Sequence, residues 1–278
     1  MITNIVHRLL NPIKKSFYVQ QERNKFKKSL RPTDVFIVGH PKSGNTWLTL
    51  MLAVLMQKNF DSKVTLANVG NIIPFIHAND NAIINYDRFP DPRMFRNESP
   101  VFAEYYPKTV YIVRDPRSVY VSYYHHCLHD TQEHDWTIEA FVEEMINYGC
   151  IKRLEPFLIR WDKQVSQWVE RSKSQLVKIV KYEDMKKDRG KILKDVVDFV
   201  GISATSEEID LAVKRGSFDS MRKEEITFGA EPYSGDKGEK GFYVRQGKVN
   251  GWKDELPQNL AKYIETNFSE TMKMFGYL

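Results

Sequence analysis

"GHPKSGNTW", residues 39–47, falls one residue short of the phosphate-loop pattern G-x-x-x-x-G-K-[ST]. Asn45 stands where that pattern has lysine, and a lysine sits three residues earlier, at Lys42. The flanks supply the context such a loop needs. Asp34–Gly39 (DVFIVG) is a short apolar run without alternation, which predicts a parallel strand covered on both faces. Thr46–Lys58 (TWLTLMLAVLMQK) predicts a helix. A turn that runs from strand into helix aims free backbone N–H groups at an anion, and the helix dipole adds to the attraction. Gly44 permits close backbone approach, while Lys42, Ser43, Asn45 and Thr46 add side-chain donors. Alone, the loop leaves three readings open: an altered triphosphate loop, an ordinary turn, or a loop built for another phosphate group.

Reading outward, a second strand–turn–helix unit begins at Thr109. TVYIV predicts a strand, RDP a turn, and Arg117–His126 a helix with Pro116 at its start. A third strand is expected at Leu176–Val180, leading into YEDM and a helix over Arg189–Phe199. Thr137–Asn147, Arg160–Lys173 and Gln258–Phe275 also read as helices. Strands that alternate with helices imply an α/β fold, three-layer α/β/α, with a central parallel sheet and a P-loop-like first turn. Residues 70–108, with many Asn, Asp and Pro, and residues 229–251, rich in glycine, read as loops. No internal repeat or linker marks a second domain, so residues 32–278 are expected to form one.

The 278 residues are 42% hydrophobic, enough to build the core of one such domain. No apolar run approaches the roughly 20 residues of a membrane span, and no secretory signal is recognisable. Two cysteines, Cys127 and Cys150, form neither a disulfide framework nor a metal-ligand pattern. A cytoplasmic setting is the expectation. Net charge is +5 but uneven. Residues 1–31 carry eight Lys/Arg against one acid, Glu22, which leaves the rest of the chain two charges negative. That body is a poor nucleic-acid binder, since such binding needs a basic stripe on the fold itself. In the N-terminal segment Ile2, Ile5, Val6, Leu9, Leu10, Ile13 and Phe17 recur at helical spacing, interrupted by Pro12. Two readings stand for this basic amphipathic segment: a helix packed on the domain, or peripheral contact with an anionic membrane.

The chemistry turns on what accompanies the first loop. A nucleoside-triphosphatase needs a magnesium site, normally with an acid at the end of a neighbouring strand. Asp115 holds that position, but Arg114 precedes it and brings a guanidinium suited to bidentate phosphate binding. Asp115, before Pro116, reads better as a helix N-cap. Taken together, four segments carry a resemblance. PKSGNTW resembles the 5′-phosphosulfate loop PKSGTTW of sulfotransferases that use 3′-phosphoadenosine 5′-phosphosulfate (PAPS). VRDPRSVYVSYYH resembles their 3′-phosphate segment, with Arg114 and Ser122 eight residues apart. KYEDMKKD resembles the YEDM segment, and RQGKVNGWK the C-terminal RKGxxGxWK loop. The four occur in the family's order across roughly residues 35–255.

The resemblance implies roles residue by residue. Pro41, Lys42, Ser43, Gly44, Asn45 and Thr46 would form the 5′-phosphosulfate loop, with Trp47 near the adenine. Arg114 and Ser122 would hold the 3′-phosphate, Tyr182 would contact the adenine, and Phe218 would stack on it with Met221 nearby. Arg245, Gln246 and Gly247 would close over the 3′-phosphate. PAPS would be the sulfuryl donor and PAP the product, with no metal required, and Lys42 and Ser122 would serve the transfer itself. The acceptor would be a small-molecule or glycan hydroxyl or amine.

Departures from the family pattern sharpen the questions. Many members carry a base in a K-[ST]-H-x-P segment, where this chain has RNESP, Arg96–Pro100. Glu98 falls at the histidine position. Either Glu98 is the base, as a glutamate is in some carbohydrate sulfotransferases, or the protein binds PAP without turnover. His77, in PFIHAND, competes for the role, and His125, His126, His129 and His134 cluster where an acceptor pocket or lid would lie. Asn45 replaces a threonine and Gln246 a lysine. Loops 70–108, 127–160 and 229–244 would set the acceptor. Asn79, Asp80, Asn81, Asp87 and Asp91 lean that reading toward a polar, glycan-like hydroxyl. Oligomeric state is not legible.

Overall fold

The strand expected before the first loop forms as β1, Val35–Gly39, in a computed structural model that describes residues 12–60, 63–76, 86–98, 102–130, 136–149, 158–230 and 244–278. A helix α1 (Pro12–Ser29) precedes it, and α2 (Asn45–Met56) follows the loop. Then come β2 (Met94–Asn97), β3 (Lys108–Val113), α3 (Pro116–Asp130), α4 (Ile138–Tyr148) and α5 (Trp161–Ser172). The strand β4 (Val177–Lys181) leads directly into α6 (Tyr182–Lys187) and α7 (Arg189–Val200). The chain continues through α8 (Ser206–Arg215), α9 (Phe218–Phe228) and α10 (Gln258–Met274). The four strands are parallel in the order β2-β1-β3-β4.

Side chains alternate across β1 although its residues are all apolar before Gly39. Phe36 and Val38 enter one core with Phe95, Tyr111 and Val113, covered by residues of α3, α4, α5 and α10. Val35 and Ile37 enter a second core with Met94, Val110 and Ile112, covered by α2 and α7. Helices on both faces explain why these strands read as continuous apolar runs. The three-layer α/β/α arrangement with a central parallel sheet is therefore the observed architecture.

The stretch 70–108, expected to be loop, is corrected by β2. Its sequence MFRN has no β-branched residue and carries a charge, so it gives no strand signal. Register with β1 nonetheless runs Val35 to Met94 through Val38 to Asn97. Arg93, just ahead of it, is fully buried and bonds Asp34 through Nε (2.8 Å) and Nη2 (2.6 Å), which anchors the edge strand to the start of β1. Pro12 is the first described residue of α1. The apolar positions 2–10 lie outside the described residues. Phe26 of α1 packs among Phe36, Phe102 and Tyr106, at ring distances of 6.4, 5.6 and 6.0 Å.

Candidate functional site

The loop between β1 and α2 is held open by two left-handed residues. Gly44, at φ 105, has no room for a side chain, because a Cβ would lie 2.8 Å from the Tyr182 ring. Lys42, at φ 67, is the exception that needs support; a non-glycine residue there costs about 1–2 kcal/mol. Arg114, at the end of β3, donates from Nη1 to the Lys42 carbonyl at 2.9 Å. Its guanidinium also stacks over the Tyr182 ring at 4.1 Å. Arg114 thus links the first loop, the end of β3 and the start of α6. Ser43 is fully buried and its Oγ has no partner among the described residues. Trp47 donates from Nε1 to the Gly216 carbonyl at 2.7 Å and meets Tyr182 edge-on.

At the far side, residues 244–251 approach α9. Gly247, at φ 61, sits where a Cβ would be 2.7 Å from the Phe218 ring. Arg245 forms a bidentate pair with Glu255 at 2.8–2.9 Å, and Gln246 donates to the same carboxylate at 3.1 Å. His125 of α3 meets Glu255 Oε2 at 2.6 Å. Partial burial works against ionising Glu255, but the bonds and charges of Arg245 and His125 outweigh it and hold the carboxyl below its usual range.

These parts line one open cleft. It is lined by Lys42, Gly44, Thr46, Trp47, Arg114, Ser122, Tyr182, Phe218, Met221, Arg245, Gln246 and Gly247, all expected from sequence. Pro41, Ser43 and Asn45 lie behind it in the loop, and Asn45 turns its amide inward. The described lining carries five cations (Lys42, Arg114, Lys186, Arg245 and Lys248) and no carboxylate. Lys186 is held below the usual lysine range by burial, with repulsion from Arg189 and Arg114 added. A cleft loaded with positive charge and walled by aromatic rings, with a Ser43 hydroxyl left without a partner among the described residues, suits an anionic ligand that carries a ring.

A sulfotransferase-domain family model matches residues 32–276. The chain belongs to the sulfotransferase family. It is 26% identical to sulfotransferase 1E1 of Bos taurus, covering 94% of this chain and 90% of that protein. It is 25% identical to the amine sulfotransferase of Oryctolagus cuniculus, over 88% and 83% of the two chains. Among solved structures, mouse sulfotransferase SULT7A1 complexed with PAP shares the fold at a TM-score of 0.66 and 23% identity, over 91% of this chain and 88% of that one. This sulfotransferase moves a sulfuryl group from PAPS, and PAP is the product.

Glu98 follows directly on β2. Its Oε1 accepts from Asn45 Nδ2 at 3.0 Å, and its carbonyl accepts from Gln164 Nε2 at 3.1 Å. Arg96, on the same strand, donates to Thr46 Oγ1 at 2.8 Å. His77 and His134 lie outside the described residues, while His126 stacks on Tyr123 at 6.1 Å. Sequence reasoning missed Lys186, Lys248 and Glu255. The first two lie inside motifs already quoted, KYEDMKKD and RQGKVNGWK, so their signal was position beside a phosphate segment. It also missed His40, fully buried between Tyr120 and Tyr123, whose pKa desolvation lowers to about 4.

Proposed function

We propose that this sulfotransferase transfers the sulfuryl group to a polar hydroxyl or amine, on a small molecule or a glycan, with Glu98 as general base. The contact between Glu98 and Asn45 supports this reading, because it holds a carboxylate against the loop that receives the transferable group. PAPS supplies an activated sulfuryl group joined to a 5′-phosphate leaving group. Lys42, Ser43 and Thr46 with the loop backbone hold the phosphosulfate, and Arg114, Ser122, Arg245 and Gly247 hold the 3′-phosphate. Tyr182, Trp47, Phe218 and Met221 form the adenine walls.

In the transfer, the acceptor oxygen forms a bond to sulfur while the bond from sulfur to the bridging oxygen breaks. That electron pair stays on the 5′-phosphate, where Lys42 offsets the charge, and the acceptor proton passes to Glu98. Positioning and electrostatics dominate such in-line transfers, and a well-placed base adds roughly 10²–10⁴ in rate. The packing of Phe26 against Phe36 and Tyr106 supports a docked α1 over a membrane-bound one.

The test is transfer of labelled sulfuryl from PAPS to panels of glycans, phenols and lipids, by the wild type and by Glu98→Gln. Polar hydroxyl acceptors should be labelled, and the variant should lose about 10²-fold or more in kcat while binding PAP within a few-fold. Undiminished turnover in the variant overturns Glu98 as base, and transfer confined to phenols overturns the polar acceptor.

A further inference from the structure

Glu98 and Asn45 are both departures from the family pattern, and they touch each other. The Asn45 side chain is 2% exposed and its Nδ2 lies 3.2 Å from the Gly39 carbonyl, 3.2 Å from the His40 carbonyl and 3.0 Å from Glu98 Oε1. Three acceptors surround that atom, so only the NH₂ end of the amide satisfies the site. Its two hydrogens serve the backbone of the loop and the carboxylate together. A threonine there has a single hydrogen on a shorter arm and cannot serve a loop carbonyl and a carboxylate at once.

The room for this amide is built in. A Cβ on Gly39 would fall 2.4 Å from Asn45 Oδ1. Glu98 is fixed at its other end as well: Gln164, fully buried, bonds its carbonyl, and Tyr111 donates to Gln164 Oε1 at 3.2 Å. One strand residue away from Asn97, Arg96 reaches Thr46, the neighbour of Asn45. The end of β2 and the start of α2 are therefore joined by two adjacent side-chain bonds, Arg96 to Thr46 and Asn45 to Glu98.

We infer that Asn45 is a positioning residue for Glu98, and that the two substitutions are one matched change rather than two. The amide fixes one carboxylate oxygen and leaves Oε2 to meet the acceptor proton. Asn45 acts on the reaction through Glu98 and contributes to the donor site only through its backbone. The inference rests on the reading of Glu98 as base.

The experiment is a double-mutant cycle on the full chain with Asn45→Thr, Glu98→Gln and the pair, measuring kcat, acceptor KM and PAP affinity by calorimetry. Asn45→Asp, which keeps the side-chain shape, is the second variant at the site, and thermal unfolding reports whether each variant is folded. Asn45→Thr should lower kcat about 10–100-fold with PAP affinity within about threefold, and Asn45→Asp should lower it further, because an ionised carboxylate cannot donate. In the Glu98→Gln background Asn45→Thr should cost less than about threefold, since the group it positions is gone. Equal losses in both backgrounds, or a kcat loss matched by weaker PAP binding, would overturn the positioning role. Full turnover in Glu98→Gln would instead remove the base and leave the Asn45 result to be read as a donor-site effect, so the two failures are distinguishable.

Discussion

The loop at residues 39–47 and the segment at 244–251 line the same cleft, and they are built by opposite means. Each places a positive-φ glycine under an aromatic ring, Gly44 under Tyr182 and Gly247 under Phe218. The first loop is embedded between β1 and α2, where it is almost entirely buried, and Arg114 supports its strained lysine through a backbone carbonyl. The second is more exposed, and Arg245 by an ion pair and Gln246 by a hydrogen bond are tied to Glu255. A backbone scaffold gives a site that exists before the ligand arrives. A side-chain tie gives one whose cation is already engaged by a resident carboxylate.

Four measurements can break or sharpen that contrast. The largest effect belongs to Gly44→Val, which puts a branched side chain at φ 105 and 2.8 Å from Tyr182; strain and displaced packing should cost about 4 kcal/mol or more. Loss of PAP binding together with a lowered melting temperature is expected, and an unchanged melting temperature would show that the first loop is not a rigid part of the fold. Next comes the buried His40 within the same loop. Its folded pKa of about 4 lies below the ordinary 6.5, so the unfolded chain takes up the proton first. The stability present above pH 6.5 is lost as pH falls toward 4, by on the order of 3 kcal/mol. Urea unfolding of the wild type and His40→Phe at pH 7 and pH 4.5 should show a shallower pH dependence in the variant.

A smaller effect is expected at the second segment. Gly247→Ala meets a ring edge 2.7 Å away at φ 61, and an exposed segment can shift, so a cost of about 1–2 kcal/mol in PAP affinity with little change in melting temperature is expected. Equal damage to stability would erase the contrast. The smallest effect is expected from Glu255→Gln, which loosens the hold on Arg245. PAP should bind more tightly by up to about 1 kcal/mol, less at high salt, as titration at two ionic strengths would show. Weaker binding would mean that Glu255 orients Arg245 rather than competing for it.

The parts of the molecule that could be read from residue order are those whose physics is local. DVFIVG, the glycine turn and the apolar helix after it declare themselves because a doubly covered strand and a helix N-terminus have sequence signatures. The edge strand at Met94–Asn97 does not, since its place depends on pairing with β1 and on Arg93 reaching Asp34. The helix at Ser206–Arg215 was legible in principle, because Thr205 and Glu208 form a capping box. In the site, nearly all the cleft lining expected from motifs was assembled. What stayed hidden was direction: whether the Asn45 amide points to a ligand or to Glu98 depends on one rotamer and on a neighbour 53 positions away.

Arg114 has a further consequence. One guanidinium lies over the ring of Tyr182 and holds the carbonyl of Lys42. Two parts of the cleft wall are thus mechanically connected through a single side chain, like the jaws of a caliper. A ligand that engages this guanidinium therefore acts on both jaws at once.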